Sequence, residues 1–201
     1  MKTFIALILA AIILTSGCET NLDPLNHEEN FSTEKSIEDK SGSISSLYDV
    51  IPLPKKSPVF EDSVFTISKL INGLLGGVIN FNRTYISNDE KPVKMLISAL
   101  FNPLSFFGKR NIRFTIDDST ATIHCAPSMT FLRPLIFTNS FIGLNLRDYD
   151  TEDIDFVHFN EDGTIEDAGG LIIVVKPLGI VTVIGANISH FSRYGWVRKS
   201  E

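Results

Sequence analysis

Ten short runs of β-branched and aromatic residues, each closed by Gly, Asn, Asp or Pro, restrict this chain to one broad class of fold. They are Val64–Ile71, Val78–Tyr85, Val93–Leu100, Ile112–Ile116, Thr122–Cys125, Leu135–Thr138, Asp155–Asn160, Leu171–Val175, Ile180–Ile184 and His190–Val197. Within them the side chains alternate: Ile112, Phe114 and Ile116 fall on one face, Arg113 and Thr115 on the other. A period of two belongs to a strand with one buried face. Asn72-Gly73, Asp117-Asp118, Asn145, Glu161-Asp162-Gly163 and Pro177 with Gly179 supply the turns. No amphipathic helix competes, although Lys69 to Gly76 has the composition for one helical turn. Many short strands at this spacing predict an all-β, antiparallel β-sandwich of the immunoglobulin-like kind.

The N-terminus has a different character. Lys2 precedes an uncharged apolar run from Thr3 to Thr15. That run is shorter than the roughly 20 residues a membrane-spanning helix needs, and it has the layout of a signal peptide. It ends in Leu14-Thr15-Ser16-Gly17-Cys18, which resembles the lipobox of bacterial lipoproteins. The resemblance implies removal of residues 1–17, acyl chains such as palmitate on Cys18, and a membrane partner reached through them. Several chains would anchor stably where one binds only marginally. Glu19, in place of an aspartate retention signal, favours the outer membrane. With Cys18 modified, Cys125 has no disulfide partner within the chain and is expected as a small buried hydrophobe.

Residues 18–62 read as the lipidated cysteine followed by a disordered tether, and residues 63–201 as the sandwich. From Glu19 to Asp62 there are 10 acidic and 4 basic residues with little periodicity, a composition that cannot bury enough surface to order itself. Pro52-Leu53-Pro54 and Pro58 make the end of this segment stiffer. The domain balances 13 basic against 14 acidic residues, so most of the net charge of −6 sits on the tether. Nothing in that balance invites nucleic acid.

Three stretches carry a family resemblance. Asn102-Pro103-Leu104-Ser105-Phe106-Phe107-Gly108 precedes the strand Ile112–Asp117. Ala126-Pro127-Ser128-Met129-Thr130-Phe131-Leu132-Arg133-Pro134 places Phe between two prolines, and Ser189-His190-Phe191-Ser192-Arg193-Tyr194 closes the domain. Together they resemble the ZU-five β-sandwich domain of ankyrins and netrin receptors, as found in bacterial envelope lipoproteins. The resemblance implies a sandwich that works through its loops. It also implies an alternative: in some ZU-five proteins His-Phe-Ser is a self-cleavage site. Ser192 Oγ would then attack the Phe191 carbonyl with His190 as base, and water would hydrolyse the ester.

Other chemistry is sparse, and neither a cofactor nor an enzymatic activity is expected. There is no Gly-x-Ser-x-Gly, no His-Glu-x-x-His and no phosphate-cradling loop. His27, His124, His158 and His190 are scattered along the chain. Nine acidic residues and no basic ones lie between Asp148 and Asp167, and Asp148, Asp150, Asp153 and Asp155 could offer oxygens to calcium. The spacing lacks the glycine and the terminal glutamate of an EF-hand, so a solvated loop is the preferred reading. The aromatic loop Phe101–Phe107 either caps the core or presents an apolar patch to a partner or membrane surface. The expectation for the whole is a lipid-anchored envelope protein whose sandwich binds, adheres or scaffolds through an unknown envelope partner.

Overall fold

The computed structural model describes residues 47–58 and 65–200, and they form the antiparallel β-sandwich that the alternation predicts. The strands are β1 (Tyr48–Val50), β2 (Phe65–Asn72), β3 (Gly77–Ile86), β4 (Pro92–Phe101), β5 (Lys109–Ile116) and β6 (Thr122–Ala126). There follow β7 (Thr130–Ile142), β8 (Ile154–Phe159), β9 (Ile165–Asp167), β10 (Leu171–Val175), β11 (Ile180–His190) and β12 (Arg193–Lys199). One sheet has the order β2-β5-β6-β12-β8-β9, with β1 pairing the second half of β12; the other runs β10-β11-β7-β4-β3. Among the described residues no helix is long and apolar enough to cross a membrane.

The inward faces meet in one core. Phe137 of β7 packs between Phe114 of β5 and Phe156 of β8, with ring centroids 6.0 and 6.1 Å apart, so rings from opposite sheets interlock. Trp196 is fully buried, and its indole N–H donates to Asn139 Oδ1 at 2.8 Å. Asn139 in turn donates to the Leu96 carbonyl at 3.0 Å, so this buried polar group is satisfied on both sides. Every residue of the core lies between Ile51 and Val197. One compact unit spans Asp39–Glu201, and it holds the whole of this core.

Three sequence expectations are revised. The domain does not start at residue 63: β1 pairs with β12, and Ile51 and Leu53 are buried in the core. The prolines that suggested a spacer instead lead the chain across the sheet, where Leu53 N–H donates to the Ser119 carbonyl at 2.8 Å. Lys69–Asn72 belongs to β2 and not to a helical turn. The closing run His190–Val197 is two strands, broken at Phe191-Ser192 where the chain crosses from one sheet to the other. Tyr194 holds that corner, its hydroxyl donating to the His190 carbonyl at 2.7 Å. This is the tyrosine-corner device of immunoglobulin-like sandwiches. The expected Cys18, Glu19 and signal peptide lie outside the described residues.

The strand directions give the sandwich two distinct ends. At one, called the tip, lie the β2–β3 turn, the β4–β5 loop and the β6–β7 turn. At the other, the base, lie the β3–β4, β5–β6 and β7–β8 connections and the entry of β1.

Candidate functional site

The tip is built on a plug of phenylalanines. Phe101, Phe106, Phe131 and Phe191 are buried, and Phe131 and Phe191 meet edge to face at 4.8 Å. Phe101 touches the other three with centroids 6.0 to 6.3 Å apart. Edge-on aromatic contacts fix ring orientation, so the plug is a firm platform. Above it the β2–β3 turn, the β4–β5 loop and the start of β7 are hydrogen-bonded into one cap. Gly73 N–H donates to Gly108 O at 2.9 Å, Ser105 N–H to Gly73 O at 3.1 Å, and Leu132 N–H to Ser105 O at 2.8 Å. Gly73 is required here, because a Cβ would collide with the Phe106 carbonyl and ring.

The cap turns large apolar side chains outward. Leu75 is 75% exposed, Phe107 73%, Leu132 63%, Leu104 48% and Leu74 45%. Leu104 does so with φ at 66°, a left-handed conformation that costs a leucine about 1–2 kcal/mol. The Phe101–Phe107 loop is therefore both things expected of it. Phe101 and Phe106 are buried, while Leu104 and Phe107 face solvent. Sequence reading missed Leu74, Leu75 and Leu132. The available signal was Gly73-Leu74-Leu75-Gly76, an apolar pair in a turn that would ordinarily be polar.

The corner at His190-Phe191-Ser192 lies beside this plug. The histidines are not all scattered in space: His158 and His190, from opposite sheets, place their Nε2 atoms 3.1 Å apart with rings nearly perpendicular. His190 Nδ1 meets Ser189 Oγ at 3.1 Å. His158 Nδ1 is buried and faces Glu166 at 3.8 Å, too far for a hydrogen bond. Burial and the neighbouring His190 hold the His158 pKa below its usual value, against the opposing pull of Glu166. Both His190 ring nitrogens are thus engaged away from Ser192, whose hydroxyl is directed to the Phe159 carbonyl at 3.4 Å. Phe191, which would carry the attacked carbonyl, is locked in the plug. The strand break that self-cleavage needs is present; the base and nucleophile are not brought together.

The acidic run also divides. Asp148, Asp150 and Asp153 line a cleft at the base with Asp49, Arg198 and Lys199, and Asp155 is not part of its lining. Arg198 bridges to Asp49 at 3.0 Å and lies over the Tyr149 ring. Cations thus interleave with the carboxylates, and the four aspartates do not form one ligand set. Among the described residues no group of three or more His, Cys, Asp and Glu side chains is placed to hold a metal ion. Asp155, on β8, has its carboxyl pushed up by burial and by Asp167. Cys125 is buried with no disulfide, and burial pushes its thiol well up, which leaves it unreactive. A second, open cleft at the base is lined by Leu53, Lys91, Leu144, Arg147, Lys176 and neighbouring residues.

Comparison of the chain with family models, curated proteins and solved structures finds no match.

Proposed function

We propose that the protein is a lipid-anchored cell-envelope protein whose β-sandwich is a non-catalytic docking module acting through its tip. The observation that supports docking is the cap: five large apolar side chains held in the open on the β2–β3 turn, the β4–β5 loop and the start of β7, which are hydrogen-bonded to one another. Single exposed leucines are ordinary, and Leu47, Leu171 and Leu178 are others in this domain, but large apolar side chains grouped at one end mark interaction sites. Among the described residues the reactive groups (a buried thiol, two histidines engaged with each other, aspartates interleaved with cations) are not assembled into catalytic machinery. The anchor rests on the lipobox-like Leu14–Cys18, and the outer-membrane location on Glu19.

Two measurements test the two halves of this reading. Expressed from its own start in a lipoprotein-processing bacterium, the chain is expected to take up labelled fatty acid, and Cys18→Ala to abolish the label. Label retained in Cys18→Ala would end the anchor claim. For the module, immobilised 39–201 is compared with its Leu75→Ser/Phe107→Ser variant in capture from detergent-solubilised and from intact envelope fragments. The wild type is expected to retain envelope material at least tenfold better, since each removed side chain contributes about 1.5–3 kcal/mol when buried. Equal capture by both chains would overturn docking through the tip.

A further inference from the structure

The tip's charge pattern identifies what it docks on, an inference that rests on the docking reading above. From Phe65 to Arg147 the only carboxylates are Asp89, Glu90, Asp117 and Asp118, and all four lie in the β3–β4 and β5–β6 turns of the base. Lys69, Lys109, Arg110 and Arg133 stand instead within a few residues of the cap's apolar side chains, and all four are exposed. Lys69 lies at the end of β2, its ammonium donating to the Val78 carbonyl; Lys109 and Arg110 open β5, and Arg133 follows Leu132. The tip loops and the strand ends beside them thus carry an apolar crown and a basic collar with no acidic residue. The acidic β8–β9 turn is at the same end but toward the other edge of the sheet. It is two strand spacings from β6, about 10 Å, and three from β5.

We infer that the tip inserts into an anionic lipid surface, its leucines and Phe107 entering the headgroup and upper acyl region while Lys69, Lys109, Arg110 and Arg133 engage lipid phosphates. The apolar residues supply burial and the collar supplies attraction to negative headgroups, the combination that gives peripheral proteins a stable hold on a bilayer. A protein partner would explain the apolar crown but gives no reason for excluding every carboxylate from it. The outer face of the second sheet extends the same surface. Val78, Leu100 and Ile136 are cross-strand neighbours on β3, β4 and β7, all more than a third exposed, and they run back from the crown. β1 begins at the base, so this contact lies at the opposite end of the sandwich from Tyr48.

The test is co-sedimentation of 39–201, which lacks Cys18 and the apolar leader, with two kinds of vesicle: phosphatidylcholine alone, and phosphatidylcholine with phosphatidylglycerol in equal parts. The wild type is expected to sediment with the anionic vesicles, weakly with the neutral ones, and less at high salt. Leu75→Ser/Phe107→Ser should lower the partition coefficient about 100-fold, and Lys109→Gln/Arg110→Gln about tenfold or more on anionic vesicles only. Circular dichroism confirms that each variant is folded. Wild-type protein left in the supernatant of both vesicles overturns the lipid assignment, as does a serine variant that binds like wild type. If vesicle binding fails while tip-dependent capture of envelope protein persists, the occupant is a protein and docking through the tip stands. If both fail, both readings fall.

Discussion

Tip and base are the two ends of one sandwich, built from turns between the same strands, and they differ in how far the turns lean on polar side chains. At the base, Asp117 closes the β5–β6 connection with its own carboxylate, accepting from the Ser119 and Thr120 N–H groups at 2.8 and 2.9 Å and from the Ser119 hydroxyl at 2.7 Å. Polar side chains there satisfy local backbone, although Leu178 beside the base cleft is 63% exposed. The tip uses the same device sparingly: Asn72 Oδ1 accepts from Leu74 N–H at 3.1 Å, Ser105 donates to the Asn102 carbonyl at 2.6 Å, and Asn102 Nδ2 donates to the Pro134 carbonyl at 3.1 Å. Backbone bonds between the β2–β3 turn, the β4–β5 loop and β7 do the rest, which leaves Leu74, Leu75, Leu104 and Phe107 without a part in holding the loops. The difference between the ends is thus what the remaining side chains present to solvent.

That contrast requires both ends to stand on the same rigid core, and Trp196 is the residue that tests it hardest. Trp196→Ala empties the largest fully buried site and leaves Asn139 without its donor. The expected cost is about 3–5 kcal/mol, a large part of the stability of a domain this size. Urea denaturation and vesicle binding should then fail together. Trp196→Phe keeps most of the volume and loses the hydrogen bond, for about 1–3 kcal/mol. A Trp196→Ala chain that unfolded readily yet bound vesicles like wild type would show that the tip does not depend on the core, and the comparison would lose its basis.

Much of the core was legible from the chain alone, because a period of two is imposed by the pleat and survives in any half-buried strand. Ile112, Phe114 and Ile116 are buried as their alternation requires. The boundaries were less legible where tertiary contacts override local composition. Tyr48–Val50 looks like tether because its neighbours are polar; what orders it is β12, nearly 150 residues away, which no local pattern records. Phe191-Ser192 looks like mid-strand because both flanks are strand; the break arises from the change of sheet. The site was half legible for a related reason. The Phe101–Phe107 loop is conspicuous in sequence, but burial of Phe106 and exposure of Phe107 depend on the plug below. The proximity of His158 and His190 crosses two sheets and leaves no mark on spacing.

The finest distinction between the ends is their response to pH, because different titrating groups hold each one. At the base, burial alone would raise the Asp117 pKa, but hydrogen bonds from Ser119 and Thr120 outweigh it and hold the carboxyl below its usual value. A carboxylate depressed in the folded state gives stability that is complete above its unfolded pKa of about 4 and is lost as pH falls through the folded value. Asp162 of the β8–β9 turn, at the other end, acts in the same sense through its bonds from Thr164. Asp117→Ala should cost about 1–2 kcal/mol at neutral pH and much less below about pH 3. On the tip side, His158 is depressed by burial and by His190, and His124 by burial and by Arg193. An unfolded histidine then takes up its proton first, so stability is flat above about pH 6.5 and declines as pH falls below it. Asp155, raised by burial and Asp167, works against this trend near the acid end, since its protonation favours the folded state. The urea midpoint is therefore expected to fall in two steps on acidification. His158→Gln should shrink the upper step, by less than about 1 kcal/mol for so partly screened a group, and His124→Gln should remove what remains. Asp117→Ala should deepen the His124 part of that step, because the Asp117 carboxylate opposes the depression of the His124 pKa. A midpoint that rose between pH 6.5 and 5, or an upper step indifferent to both histidine substitutions, would show that these histidines do not govern it.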